Sequence, residues 1–138
     1  MKIHHIGYLV HDIASAMDSL RQLGFTVVKS SRYDDARQVD IVFLENDGTV
    51  VELVAPRKEA KNFRALQKRI GDAPYHLCYL ADDFAADVDK LQQRGWAMIQ
   101  PPQPAVAIDN RQVAFFYHQA IGMIELVEQY PRNEKRDV

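Results

Sequence analysis

The chain has 138 residues, 47% of them hydrophobic, and a formal net charge of −2 with 17 basic and 19 acidic side chains. That size supports a modest core in one domain, and the mixed charge excludes an electrostatic footprint for nucleic acid or a membrane surface. No apolar run is long enough to span a bilayer, the N-terminus lacks a signal-peptide h-region, and one cysteine cannot form an internal disulfide. These features fit a soluble, cytoplasmic protein.

The N-terminal IHHIGYLV reads as a strand rich in β-branched and aromatic residues. Asp12 stands at an N-cap position, and Ile13, Met17, Leu20 and Leu23 follow at helical spacing until Gly24 stops the helix. FTVVKS is a second strand. VDIVFLEN and TVVELVAP form a hairpin across Asn46-Asp47-Gly48, residues that tolerate positive φ. The order is β-α-β-β-β. RKEAKNFRALQKRIGD carries Phe63, Leu66 and Ile70 at helical spacing and reads as a helical connector packed by one face.

The pattern then repeats: the strand YHLCYL, a helix from Asp83 to about Arg94, WAMIQ, RQVAFFYH and GMIELVE. PPQPAVAIDN, with three prolines, is expected to be an extended loop at the rim of a cleft, and PRNEKRDV to be a frayed tail. The second half aligns on the first without a gap from His5 to Gly24, at an offset of 71 residues. His5 and His76, Tyr8 and Tyr79, Asp12 and Asp83, and Gly24 and Gly95 correspond. After a slip of two, Glu52 matches Glu125. The expected architecture is α+β: two tandem βαβββ modules with curved mixed sheets around a metal-binding cleft. They form a single domain over residues 1–130, with module one at 1–56, the connector at 57–73, module two at 74–130 and a tail at 131–138.

Strand alternation places His5 on the face of Ile3, Gly7 and Leu9, and His76 on the face of Cys78 and Leu80. Tyr8 and Tyr79 point the other way, under the helices. Glu52 and Glu125 each sit within an apolar strand, where an ionised carboxylate costs several kcal/mol unless compensated. Any one of these four residues alone is best read as a hydrogen-bonded core histidine or an ion-paired glutamate. Two from each repeat, at matching positions, point instead to one divalent cation held by His5, Glu52, His76 and Glu125. Nitrogen and oxygen ligands suit nickel, cobalt, zinc or manganese. Arg37, Asn110 and Arg111 flank strands near this cleft and are candidates for a substrate carboxylate or phosphate; Cys78 is a candidate for its lining. His11 and His118 read as solvated residues at strand ends.

HHIGYLVHDI, VELVAP, YHLCYLADDF and VAFFYHQAIGMIELVE together resemble the vicinal oxygen chelate superfamily, which includes glyoxalase I, methylmalonyl-CoA epimerase, extradiol dioxygenases and the bleomycin- and fosfomycin-resistance proteins. The epimerase-type pattern is the nearest. The resemblance implies a metal-dependent enzyme, with His5, Glu52, His76 and Glu125 as ligands and a homodimeric assembly. The implied reaction moves the α-proton of a small acyl thioester, with Glu125 as first candidate for the base and Glu52 next. A glyoxalase I-like lyase and a metal-free protein that sequesters a drug or metabolite are the alternatives. Two departures stand out. Ala36 occupies the position where such epimerases carry a second base, leaving Asp35 as the nearest acid, and the loop before the last strand is shortened to HQAIG.

Overall fold

A computed structural model describes residues 1–131 of the chain, so the expected tail at 131–138 lies, but for its first residue, outside the described residues. They fall into two compact units, one of His5–Tyr75 and one joining Met1–His4 to the residues from His76 onward.

The first βαβββ module runs β1 (Lys2–Leu9), α1 (Ile13–Gln22), β2 (Thr26–Asp34), β3 (Val39–Asn46) and β4 (Thr49–Pro56). Helix α2 (Lys61–Ile70) follows. The second module repeats the order with β5 (Ala73–Leu80), α3 (Phe84–Gln93), β6 (Ala97–Ala105), β7 (Arg111–His118) and β8 (Gly122–Val127). Strand orders match as well, β2-β3-β4-β1 and β6-β7-β8-β5. In each module one parallel pair, β1 with β4 or β5 with β8, joins antiparallel neighbours into a mixed sheet.

Each sheet carries its helix on one face. Val42 and Leu44 of β3 and Val51, Leu53 and Ala55 of β4 are buried against Ile13, Ala16, Met17 and Leu20 of α1, with Tyr8 beside them. In the second module Ala114, Phe116, Ile124 and Leu126 pack with Val88 and Leu91 of α3, with Tyr79 and Phe84 alongside. Burying each Val, Leu, Ile, Met or Phe side chain among these stabilises by about 1.5–3 kcal/mol. Because alternate residues point the other way, these contacts assign Phe43, Glu52, Phe115 and Glu125 to the face away from the helix.

Several expectations change. Leu23 is 69% exposed and Ile70 43% exposed, so neither belongs to a packed stripe. On α2 the one buried residue is Gln67, whose amide donates to Asp72 at 3.2 Å. Strand β2 runs on past Ser30 to Asp34. The proline-rich stretch is no free loop. Residues up to Ala105 belong to β6, and a short 3-10 turn, Val106–Ile108, follows. Strand β6 is paired only with β7 in its module's order, and an edge tolerates prolines because one row of N–H groups is not needed for pairing. Its register against β7 slips between Met98 and Gln103, which lets the prolines in. Among the described residues no helix is long and apolar enough to cross a membrane.

Both duplicated aspartates cap their helices. Asp12 accepts from the Ala14 amide at 2.9 Å and the Ser15 hydroxyl at 3.0 Å; Asp83 accepts from the Ala86 amide at 3.2 Å. The bonds from Ser15, then from the backbone, hold the Asp12 carboxyl below the usual aspartate range. The α3 terminus has a second acceptor, since Asp87 takes the backbone N–H groups of Asp82 and Asp83 at 2.9 and 3.1 Å. Replacing Asp83 by alanine should cost about 1 kcal/mol in urea unfolding. Asp12→Asn should remove an acid-dependent component of stability. With the folded pKa below the unfolded one, that component is complete above the unfolded pKa and fades as pH falls through the folded one.

Candidate metal centre

The two modules build the same half-site. In the first, the parallel register sets Gly7 opposite Glu52 and the antiparallel register sets Phe43 opposite Glu52. His5 stands two residues before Gly7 on the same face. Its Nε2 lies 3.6 Å from Glu52 Oε1, and its ring meets Phe43 edge-on at 5.3 Å between centroids. In the second, Cys78 and Phe115 are the cross-strand neighbours of Glu125. His76 Nε2 lies 3.6 Å from Glu125 Oε2, and the His76 ring meets Phe115 edge-on at 5.3 Å. The duplicated sequence has become duplicated geometry.

All four residues are buried, with His5 1% and Glu52 7% exposed in one half-site and His76 4% and Glu125 5% in the other. A separation of 3.6 Å is long for a direct hydrogen bond, but two ligand atoms each about 2.0–2.2 Å from a shared cation would stand about this far apart. An imidazole nitrogen beside a carboxylate oxygen, both out of water, is therefore a donor set that fits a borderline divalent ion. The edge-on phenyl rings limit how far each imidazole can turn.

Cys78 is completely buried, and its thiol donates to Glu125 Oε1 at 3.3 Å. It contacts the candidate ligand itself, a more specific position than the pocket lining expected from the sequence.

The cationic candidates divide. Arg37 is tied to the buried Asp34: its backbone N–H donates to Oδ1 at 3.1 Å and its guanidinium to Oδ2 at 2.6 Å. The pair stabilises the turn between β2 and β3, in which Asp35 and Ala36 are exposed. Arg111 is only 5% exposed. Strand parity puts it on the face of Phe115, where it donates to the carbonyls of Ile108 at 3.1 Å and Glu128 at 3.3 Å and stacks on the Tyr130 ring at 3.8 Å. Burial pulls this guanidinium below the usual arginine range, opposed by nearby Tyr130 and Asp109. Asn110 is exposed with a left-handed φ of +59°.

His11 is exposed, as the solvated reading expects, and both it and His118 also bond to other residues. The His11 ring and backbone N–H both bond to Asp72, which links the end of β1 to the approach to β5. His118 accepts the Ala120 N–H at 3.1 Å and packs on Trp96. The sequence hides the His11 contact, because His11 and Asp72 are 61 residues apart.

Two βαβββ modules, each with a buried His/Glu pair at 3.6 Å, define a duplicated-module class of fold. The chain belongs to the Glyoxalase/Bleomycin resistance protein/Dioxygenase superfamily, whose sequence model matches residues 4–115. Over 117 residues it is 22% identical to an ethylmalonyl-CoA/methylmalonyl-CoA epimerase of Cereibacter sphaeroides, covering 84% of this chain and 87% of that protein. Among solved structures it is similar to a hypothetical protein of Bacillus halodurans C-125, with a TM-score of 0.84 and 22% identity over 97% of this chain and 98% of the other. The methylmalonyl-CoA epimerase of Mycobacterium tuberculosis matches with a TM-score of 0.81 and 22% identity, over 95% and 89% of the two chains. Identities this low carry the fold.

The Arg37–Asp34 pair tests whether Arg37 serves the turn or an anion. As a buried pair, Asp34→Ala should cost about 3–5 kcal/mol in urea unfolding, because it leaves a buried guanidinium without its carboxylate. The double variant Asp34→Ala/Arg37→Ala should lose less than the sum of the singles.

Proposed function

We propose that the two half-sites together hold one divalent cation, through His5, Glu52, His76 and Glu125, and that the protein transfers the α-proton of a small acyl thioester, as an epimerase or isomerase. The observation that carries this reading is the repeated buried His/Glu pair at 3.6 Å. The family membership and the epimerase relatives support the same reaction class.

A bound cation would polarise the thioester carbonyl and stabilise the enolate formed when the α-proton leaves. The chain's own residues do the rest. Buried imidazoles keep their Nε2 atoms turned toward the carboxylates, and the surrounding apolar strands exclude water. Glu125 is the first choice for the residue that accepts the α-proton, with Glu52 second, since each offers a carboxylate on the face away from the helices. Arg37, Asn110 and Arg111 complete the proposal as contacts for a substrate anion. Arg111 is the best placed of them, because it shares its sheet face with Phe115 and Glu125.

One observation favours a second reading. The turn between β2 and β3 offers no buried acid free of Arg37, since Asp34 is tied to Arg37, Asp35 is exposed and residue 36 is alanine. A reaction needing a base on only one side of the substrate, such as a glyoxalase I-like isomerisation of a hemithioacetal, is compatible with that turn.

The deciding experiment follows solvent deuterium into candidate acyl-CoAs and hemithioacetals with protein reconstituted in nickel, cobalt, zinc or manganese. Incorporation at the α-carbon is the expected result. Tight ligand binding with no exchange from any of them would favour a sequestering protein instead. Glu125→Gln should retain the fold and lower turnover by about 10²–10⁴, since an amide cannot accept the proton. His5→Ala and His76→Ala should lose metal and activity together, read by metal analysis after dialysis.

A further inference from the structure

The duplicated half-sites differ at the strand position opposite the glutamate. Opposite Glu52 the neighbouring strand places Gly7; opposite Glu125 it places Cys78. Glycine has no side chain to offer the carboxylate. Cysteine offers an S–H donor, and here it is used: Sγ lies 3.3 Å from Oε1, in a residue with no exposure to solvent. The other oxygen of Glu125, Oε2, is the one that faces His76 Nε2 at 3.6 Å. The two carboxylate oxygens thus have separate neighbours, sulfur on one side and imidazole on the other.

We propose that Cys78 is a positioning residue for Glu125, holding Oε1 through its thiol so that Oε2 alone is presented beside His76 to a cation. The inference rests on the metal-site reading above and deepens it, because it makes the two glutamates inequivalent. Glu125 is anchored from behind by a side chain, whereas the glycine opposite Glu52 supplies no such anchor. At the strand position facing the ligand, the two half-sites carry different residues, Gly7 and Cys78. Partners that hold a metal ligand from outside commonly matter to affinity by 10–100-fold, and a thiol, as a weak donor, belongs at the lower end.

The test uses the full chain and Co(II) alone as the probe. Wild type, Cys78→Ser and Cys78→Ala are titrated with Co(II), with affinity followed by calorimetry and geometry by the visible d–d bands. Serine and alanine leave nearly the same space, and only serine keeps a donor. The expected result is a roughly tenfold loss of Co(II) affinity and an altered band pattern in Cys78→Ala, with Cys78→Ser substantially restoring both. A purely packing role for Cys78 would move neither readout differently in the two variants.

The chain's single cysteine provides a second measurement that needs no change at position 78. Its S–H stretch is the only one in the infrared spectrum, and it should shift to higher frequency in Glu125→Ala as the hydrogen bond is lost. The inference is overturned by equal Co(II) affinity and equal spectra in the serine and alanine variants, or by an S–H band indifferent to Glu125→Ala. A sulfur-to-cobalt charge-transfer band in the wild type would also overturn it, because the thiol would then be a ligand. Failure of the wild type to bind Co(II) at all would remove the metal-site reading as well, a result distinct from binding that ignores position 78.

Discussion

Two carboxylates stand inside apolar strands, and that constraint organises the rest of the structure. Glu52 lies between Val51 and Leu53, and Glu125 between Ile124 and Leu126, all of them buried. Strand alternation turns each glutamate away from the helix-packed face, so neither enters the apolar core beneath α1 and α3. On the other face each glutamate meets a histidine of its own module, held edge-on by a phenylalanine. Desolvating an ionised carboxylate is costly without charge compensation, and evolution keeps such groups where they perform a task. In the proposed reading a cation would supply that compensation together with the chemistry.

Duplication explains the economy of the design and also where it breaks. The capping aspartates, the stop glycines and the His/Glu pairs recur, and so does the strand order. The departures are local: Cys78 for Gly7 beside a glutamate, Asp87 for Ala16 as an added acceptor at a helix start, and a buried Arg111 where the first module has Val39. Arg111 joins the turn at Ile108, the end of β8 and the Tyr130 ring, while in the first module Arg57 pairs with Asp40 and stacks on the Tyr33 ring at 3.7 Å.

The substrate question is concentrated in the turn between β2 and β3. Its buried aspartate accepts from the Arg37 guanidinium at 2.6 Å, and its other acid is exposed. The sequence offered Asp35 as the nearest acid to the missing base and Arg37 as an anion contact. Their availability was decided by which of them the turn buries.

What the sequence determined by itself was whatever depends on local spacing or on repetition. The helix starts at Asp12 and Asp83 follow from side-chain bonding two or three residues ahead. The Asp47-Gly48 hairpin follows from residues that accept positive φ, here +48° and +82°. The His/Glu pairing was legible because a repeat shows the same residues twice, and strand parity assigns the shared face. Tertiary structure decided what depends on partners distant in the chain: the proline-rich stretch became an edge strand through pairing with β7, Arg111 went inside, and His11 met Asp72. It also gave Cys78 its hydrogen bond to Glu125, 47 residues away. Sequence periodicity reports which side of its own element a residue occupies. Which atom it meets there is set by the register of neighbouring strands, and those contacts form only when the chain folds.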